Sequence, residues 1–336
     1  MAEFLEENEI EKLNKEASFL EERAGVPANY VKIVLSTEGK LNAPPFVFVK
    51  NFTVEDLSNL SLCLRKDIPE VLSSILNTSI LWNPDNKISV LDWAEEEVIE
   101  LLIKIYLTFY SPFLYNMNYK VTKEDLDSLD PAKADSIIKG LWRPKFDIDL
   151  RTLQTYDLKD KKIKPIITFE DKESGTKIRY SIPTMKTFIL LEKELYKKYN
   201  KIETSFKDVI SHINNDTIQE IDDERMDAYV KYYNEKISYS IKVSQLLRLV
   251  SINDENVYDS SLDSKNDLLK KYNVSALSFE SVEDFINNME YGLKKEVSII
   301  NPITEKPEIR RWNFRLLDVL STILVSRPTG YDIYFE

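Results

Sequence analysis

Along residues 164–184, KPIITFEDKESGTKIRYSIPT, apolar and polar positions alternate in two runs about a polar turn ending in Gly175, the pattern of an antiparallel hairpin. A four-residue loop over 172–175 sets Phe169 opposite Ile178, Ile167 opposite Tyr180 and Glu170 opposite Lys177. A three-residue loop would mix apolar and polar side chains on both faces, so the four-residue loop is predicted. Cross-strand pairs of this kind contribute about 0.2–1 kcal/mol each, so the hairpin needs a helix against its apolar face. The chain offers one at once: Phe188, Leu191, Leu195 and Tyr199 fall on one side of a helix predicted over 185–199.

The same order of strand, turn, strand and helix occurs before and after this stretch. Residues 30–35 and 46–49 read as strands around a turn-rich segment with Pro44 and Pro45, and Thr53 then caps a helix with Asp56 at the capping-box position. Residues 297–300 and 309–314 read as strands around Pro302 and Pro307, followed by a helix over 316–325. Between these units the pattern is helical. Asp67 and Pro69 open a helix to about residue 76, and Asp92 is expected to cap a long helix whose first turn carries Glu95, Glu96 and Glu97. That acidic run is expected to cap the helix and face solvent. The apolar stretch 98–115 carries Glu100, Lys104 and Pro112, so it is predicted as a buried helix ending near Pro112 and not as a membrane span.

Short helices are expected over 123–129 and 131–139, an extended connection over 142–164, helices over 206–213, 217–233, 238–250 and 282–293, and a mobile polar loop over 253–266. At the N-terminus, Ile10, Leu13, Ala17, Leu20 and Ala24 repeat at three-four spacing on an otherwise charged helix, a short coiled-coil-like stripe. The predicted fold class is α+β and mostly helical, built from hairpin-plus-helix units with a helical C-terminal part. Three segments follow: an N-terminal arm at 1–27, an α+β domain with the central hairpin at 28–202, and a mainly helical domain with a terminal strand pair at 203–336.

Composition narrows the function classes. The 336 residues are 43% hydrophobic and 11% aromatic, enough for a sizeable core, and a formal charge of −12 disfavours a general nucleic-acid or anionic-membrane binder. The single cysteine, Cys63, excludes an intrachain disulfide and a thiolate zinc site; it is expected as a buried thiol in an intracellular protein. The opening residues lack the basic start and apolar core of a secretory signal.

Catalytic signatures do not emerge. The six glycines, at 25, 39, 140, 175, 292 and 330, form neither a dinucleotide fingerprint nor a phosphate loop. His212, the only histidine, lies in a polar helical pattern without a nucleophile elbow or ligand spacing. Asp147 and Asp149 would share one side of an extended segment, as a magnesium site requires, and equally as the solvated face of a strand does. Arg310, Arg311 and Arg315 interleave with Trp312 and Phe314, the composition of a protein interface or a nucleic-acid platform, and the charge balance favours the interface.

The stretch FVFVKNFTVEDLSNLSLCL, then ISVLDWAEEEVIELLIKIYLTFYS, then ITFEDKESGTKIRYSIPTM resembles the baseplate hub assembly proteins of T-even-type contractile-tailed phages. In that family a strand enters a helix, an Asp-led helix ends in an aromatic and Ser, and a hairpin follows; here these are residues 46–64, 92–111 and 167–185. The resemblance covers roughly residues 28 to 200, its motifs are diffuse and mostly apolar, and the C-terminal third lies beyond it.

It implies a non-enzymatic tail protein, a baseplate component or a chaperone of hub assembly, working in the host cytoplasm or the virion tail as part of a hetero-oligomer with other tail proteins. Neither nucleic acid, membrane, metal nor cofactor is expected as a partner. The expected contact residues are Ile10, Leu13 and Leu20 of the arm and Arg310, Arg311, Trp312 and Phe314 near the C-terminus. Two alternatives stay open at this point: an acidic inhibitory or DNA-mimic protein that binds a host factor, and a metal-dependent hydrolase using Asp147 and Asp149.

Overall fold

The structure is a computed structural model. It describes residues 26–27, 29–64, 66–81, 89–111, 114–119, 121–138, 144–158, 161, 163–214, 221–311, 316, 319–320 and 327–328. The N-terminal stripe of Ile10, Leu13 and Leu20, together with Trp312 and Phe314, lies outside the described residues. Ten helices and several small antiparallel sheets make the fold α+β and mostly helical among the described residues.

The first unit follows the expected order. Strands β1 (Tyr30–Val34) and β2 (Phe46–Lys50) pair antiparallel, and the two-residue β3 (Ile80–Leu81) adds to β2. Helix α1 (Val54–Leu62) starts at the capping box: Asp56 N donates to Thr53 Oγ1 at 3.1 Å and Thr53 N donates to Asp56 Oδ2 at 2.8 Å. Helix α2 (Ile68–Ser79) follows, then α3 (Glu95–Phe109).

Helix α3 is apolar on nearly every side, with Val98, Ile99, Leu101, Leu102, Ile103 and Ile105 all buried, so it serves as the spine of the largest core. Truncating a fully enclosed side chain here, such as Leu102, to alanine would cost about 2–5 kcal/mol. Its start differs from expectation. Residues Val90–Asp92 form a 3₁₀ turn capped by Ser89, and the helix begins after Ala94, whose backbone N donates to Glu97 Oε2 at 3.0 Å. Its end comes early too: β4 (Tyr110–Ser111) and β5 (Leu114–Asn118) occupy what the pattern read as the last helical turn and beyond.

The expected extended connection is in part a strand, β6 (Lys145–Asp149), paired along its length with β5. Helices α4 (Lys123–Asp127) and α5 (Pro131–Ile138) lie between them.

The central hairpin has the predicted register. Strands β7 (Ile166–Glu170) and β8 (Lys177–Ser181) pair Phe169 with Ile178, Ile167 with Tyr180 and Glu170 with Lys177. Gly175 sits at φ +67° in the turn, where a side chain would be strained. The partner of the apolar face is not the helix that comes next. Ile178 and Tyr180 pack with Phe279, Val282 and Ile286 of α10 (Ala276–Asn287), and the Phe169 and Tyr180 rings lie 5.9 and 5.8 Å from Phe279. Helix α6 (Met185–Ser205) instead sends Met185 and Ile189 into the α3 core.

The hairpin is the edge half of a four-stranded sheet, ordered β10-β9-β8-β7, with β9 (Leu249–Ile252) pairing onto β8. Strands β9 and β10 (Glu255–Asn256) turn through Asn253 and Asp254, at φ +46° and +66°. This two-residue turn with both φ positive takes the place of the expected mobile loop, since Asn and Asp tolerate that conformation. Helix α9 (Leu262–Lys271) follows, capped by Ser261.

The segment 200–204, around the division drawn between residues 202 and 203, lies in regular helix. Helix α6 runs through it, α7 (Lys207–Asn214) follows, and α8 (Asp223–Arg248) is one continuous helix where two were expected. The β8–β9 pairing, and a core shared by α3, Val297 and Ile299, link residues on either side of that segment. The last unit is the pair β11 (Glu296–Ile300) and β12 (Pro307–Arg311). Leu316, Val319 and Leu320 after it enter the same core, and β13 (Arg327–Pro328) pairs with β4. Among the described residues no helix is long and apolar enough to cross a membrane.

Candidate interaction surfaces

The β11–β12 hairpin carries the arginines expected at a partner interface, and strand alternation separates them. Arg310 points inward to a polar network. Its Nε donates to Glu308 Oε1 at 2.6 Å, its Nη2 donates to the Tyr119 hydroxyl, and its guanidinium lies 5.0 Å over the Tyr119 ring. Asn301 Nδ2 donates to Asp125 Oδ1 at 2.9 Å and to the Tyr119 hydroxyl at 2.8 Å, and Tyr119 donates to Asp125 Oδ2 at 3.0 Å. Arg310 therefore fastens the hairpin to α4. Arg311 is exposed on the opposite face next to Ile309, which is 72% exposed; Ile300, 59% exposed, shares that face at the other end of the strand pair, opposite Pro307. Period-two alternation places Ile309 with Arg311 from sequence alone.

A second apolar surface lies on α8. Asp222 caps this helix by accepting from Glu224 N at 3.0 Å, and Asp223 and Glu224 favour its positive end. Tyr232, Val243 and Leu246 face inward, and Tyr232 stacks on Phe206 at 5.3 Å. On the outer side Val230, Tyr233, Ile237 and Ile241, spaced three and four apart, are 47, 50, 42 and 55% exposed. Ile241 also reaches the rim of a groove of about 1140 Å³ between α8, α9 and α10, with Leu269, Val274 and Phe279 on its walls. At about 25 cal/mol per Å², covering the stripe would contribute on the order of 1–2 kcal/mol per side chain. Val230, Tyr233 and Ile241 were within predicted helices, and Ile237 fell in the gap expected between them. Their exposure depends on which side α6 covers.

The strongest electrostatic perturbations lie in the interior. Glu97 and Glu100, expected on a solvated run or in a buried span, are both completely enclosed. Glu97 accepts from Thr37 Oγ1 at 2.6 Å, Ala43 N at 3.2 Å and Ala94 N at 3.0 Å. Burial pushes its pKa up to about 7 against those hydrogen bonds, and burial together with the neighbouring Glu96 does the same to Glu95. Glu100 accepts from Ser36 N and Oγ at 2.9 and 2.6 Å and pairs with Lys104 at 2.5 Å. These carboxylates bind the β1–β2 connection to α3. Gly292, at φ +71°, lets the 289–295 segment approach the same place, where a Cβ would meet Glu96 Cβ at 3.3 Å.

A second interior knot centres on Arg248, which is 2% exposed. Its Nε donates to Ser181 O at 2.9 Å, its Nη1 donates to both Glu283 oxygens at 2.8 Å, and Tyr180 donates to the same carboxylate.

The other candidate chemical groups have local partners. Asp147 is exposed on β6 and accepts from Asn116 Nδ2 at 2.8 Å. Asp149 caps the turn Leu150–Thr152 and pairs with Arg151 at 2.6 Å; hydrogen bonds from Arg151 hold its carboxyl below the usual range. Among the described residues no three His, Cys, Asp or Glu side chains are grouped to hold a metal ion. Cys63, expected in the interior, is half-buried at the end of α1, where Sγ donates to Leu60 O at 3.2 Å and burial pushes the thiol up. His212 lies in the last turn of α7 and is half-buried. No protein-family model, no curated protein and no solved structure matches this chain.

Proposed function

We propose that the protein is a non-enzymatic phage tail protein, a baseplate component or a chaperone of hub assembly, that acts through protein contacts. The observation that carries this reading is the pair of outward apolar surfaces: Ile300, Ile309 and Arg311 on the last hairpin, and Val230, Tyr233, Ile237 and Ile241 on α8. Exposed apolar side chains grouped on rigid elements, with an arginine beside them, suit docking on another protein. The interior carboxylates and Arg248 support it by being engaged in holding segments together. The resemblance of residues 46–64, 92–111 and 167–185 to T-even hub assembly proteins supplies the particular class. Those residues fall on β2 and α1, on the Val90–Asp92 turn and α3 with its Tyr110–Ser111 end, and on the β7–β8 hairpin.

Acting in the host cytoplasm during assembly, or in the tail baseplate, the protein would bind neighbouring tail proteins as part of a hetero-oligomer. Co-purification with the hub and wedge components of a contractile tail tests this. A stable complex is expected, weakened by Ile309→Asp and by Ile237→Asp, and by removal of residues 1–24 with the fold retained. A protein that stays monomeric beside every such component refutes the reading.

A further inference from the structure

Between α6, α8 and the start of α9 lies a second cavity, of about 780 Å³, lined by five lysines and three carboxylates. A net positive lining is unusual in a chain of formal charge −12. Its ion pairs are loose: Lys186 Nζ stands 3.8 Å from Asp259 and lies 4.4 Å over the Tyr258 ring. Lys265 lines the cavity from within the fold, at 1% exposure. Its ammonium donates to Leu249 O at 3.3 Å and forms no salt bridge among the described residues. An ammonium carries three donors, and burying one with a single long hydrogen bond is costly. Burial pushes the Lys265 pKa down to about 8; Asp259 opposes this and Lys186 adds to it.

The first turn of α9 faces the same space. Ser261 takes up the Ser264 N–H at 3.2 Å, while Ser260, Ser261 and Leu262 line the cavity. The helix start thus brings positive dipole ends beside Lys265 and Lys186.

We propose that this cavity binds a compact oxyanion, the phosphate or carboxylate group of a small organic ligand, with Lys186, Lys242 and Lys265 as its charged contacts. Lys265, which burial leaves with one long hydrogen bond, Lys186 and the helix start would each face one negative group. The volume admits a ligand of the size of citrate or a nucleoside diphosphate. This site is independent of the tail-protein reading.

The test is calorimetric titration of the full chain at low ionic strength with inorganic phosphate, citrate and ADP. Saturable binding is expected for at least one, weakened tenfold or more by Lys186→Gln and by Lys265→Met. Lys172→Gln, in the hairpin loop outside the cavity, should leave it unchanged. Phosphate and ADP binding without citrate assigns a phosphate ligand, and citrate alone a carboxylate. Absence of saturable binding to all three, or equal binding by the wild type and Lys186→Gln, overturns the proposal. Lys186 is partly exposed, so its variant keeps the test decisive if Lys265→Met does not fold.

Discussion

Replacing Glu97 by glutamine separates the two forces acting on a completely enclosed carboxylate. Glutamine can keep the geometry: its Oε1 accepts from the Ala43 and Ala94 amides, and its Nε2 donates to Thr37 Oγ1, whose hydroxyl can rotate. What it removes is the ability to ionise. With the folded pKa raised from 4.5 to about 7, the native state binds more protons than the unfolded chain between those values. Stability from this group is therefore greatest below about pH 4.5, falls as pH rises through about 7, and levels off above it. The full difference is about 3 kcal/mol, at about 1.4 kcal/mol per pKa unit.

Glu97→Gln should accordingly be within about 1 kcal/mol of wild type at pH 5 and more stable by about 3 kcal/mol at pH 8.5. Urea denaturation followed by fluorescence at half-unit pH steps measures it. Glu95, raised to about 7 as well, leaves a residual slope of the same sign in the variant. A stability difference that does not change with pH, or a variant that weakens as pH rises, would refute the reasoning. The first would mean that the three hydrogen bonds balance burial, the second that they outweigh it and hold Glu97 as a carboxylate.

Arg248→Met should lower stability by about 3–5 kcal/mol, because it leaves Glu283 and the Ser181 carbonyl without their shared donor; Arg248→Lys should recover only part of this, since one ammonium cannot reproduce the fork. Thermal and denaturant unfolding measure both. Asp171→Asn should cost about 2 kcal/mol at pH 7. This carboxylate accepts from Ser174 N and Oγ, Ser275 N and Ser278 Oγ, and so ties the hairpin loop to α10. The Ser174 hydroxyl, foremost among these bonds, holds the folded pKa far below the ordinary 3.8. The Asp171 contribution is therefore present above about pH 4 and lost on further acidification, narrowing the gap between wild type and variant in acid unfolding. Arg310→Ala should destabilise the fold by about 1–3 kcal/mol, whereas Arg311→Ala should stay within about 0.5 kcal/mol and lower partner affinity instead; parallel melting and pull-down experiments separate the two.

The central hairpin was legible because its information is local. Four loop residues between Asp171 and Thr176, together with strict alternation, leave one register that sorts apolar from polar faces. The capping box at Thr53 and Asp56 is local in the same sense. The arginine pair shows where such reading stops. Composition marked 310 and 311 together, and only the location of Tyr119 and Asp125 decides which side of β12 is covered. Likewise the α8 stripe was visible as apolar positions, but a helix with apolar residues on two sides does not state which one its neighbours will take.

Local pattern thus determined the class of the fold, the first two hairpin-and-helix units, the last strand pair and most of their starting points. Tertiary structure decided the rest. It placed α10, about 100 residues further along the chain, against the hairpin instead of the adjacent helix, since Phe279 meets Phe169 and Tyr180 there. It paired β8 with β9, about 70 residues further along the chain, and drew Glu97 out of solvent. The reason is the same in each case. Burial and hydrogen-bond partners belong to pairs of residues distant in sequence, and a pattern read along one segment carries no term for what the other segment brings.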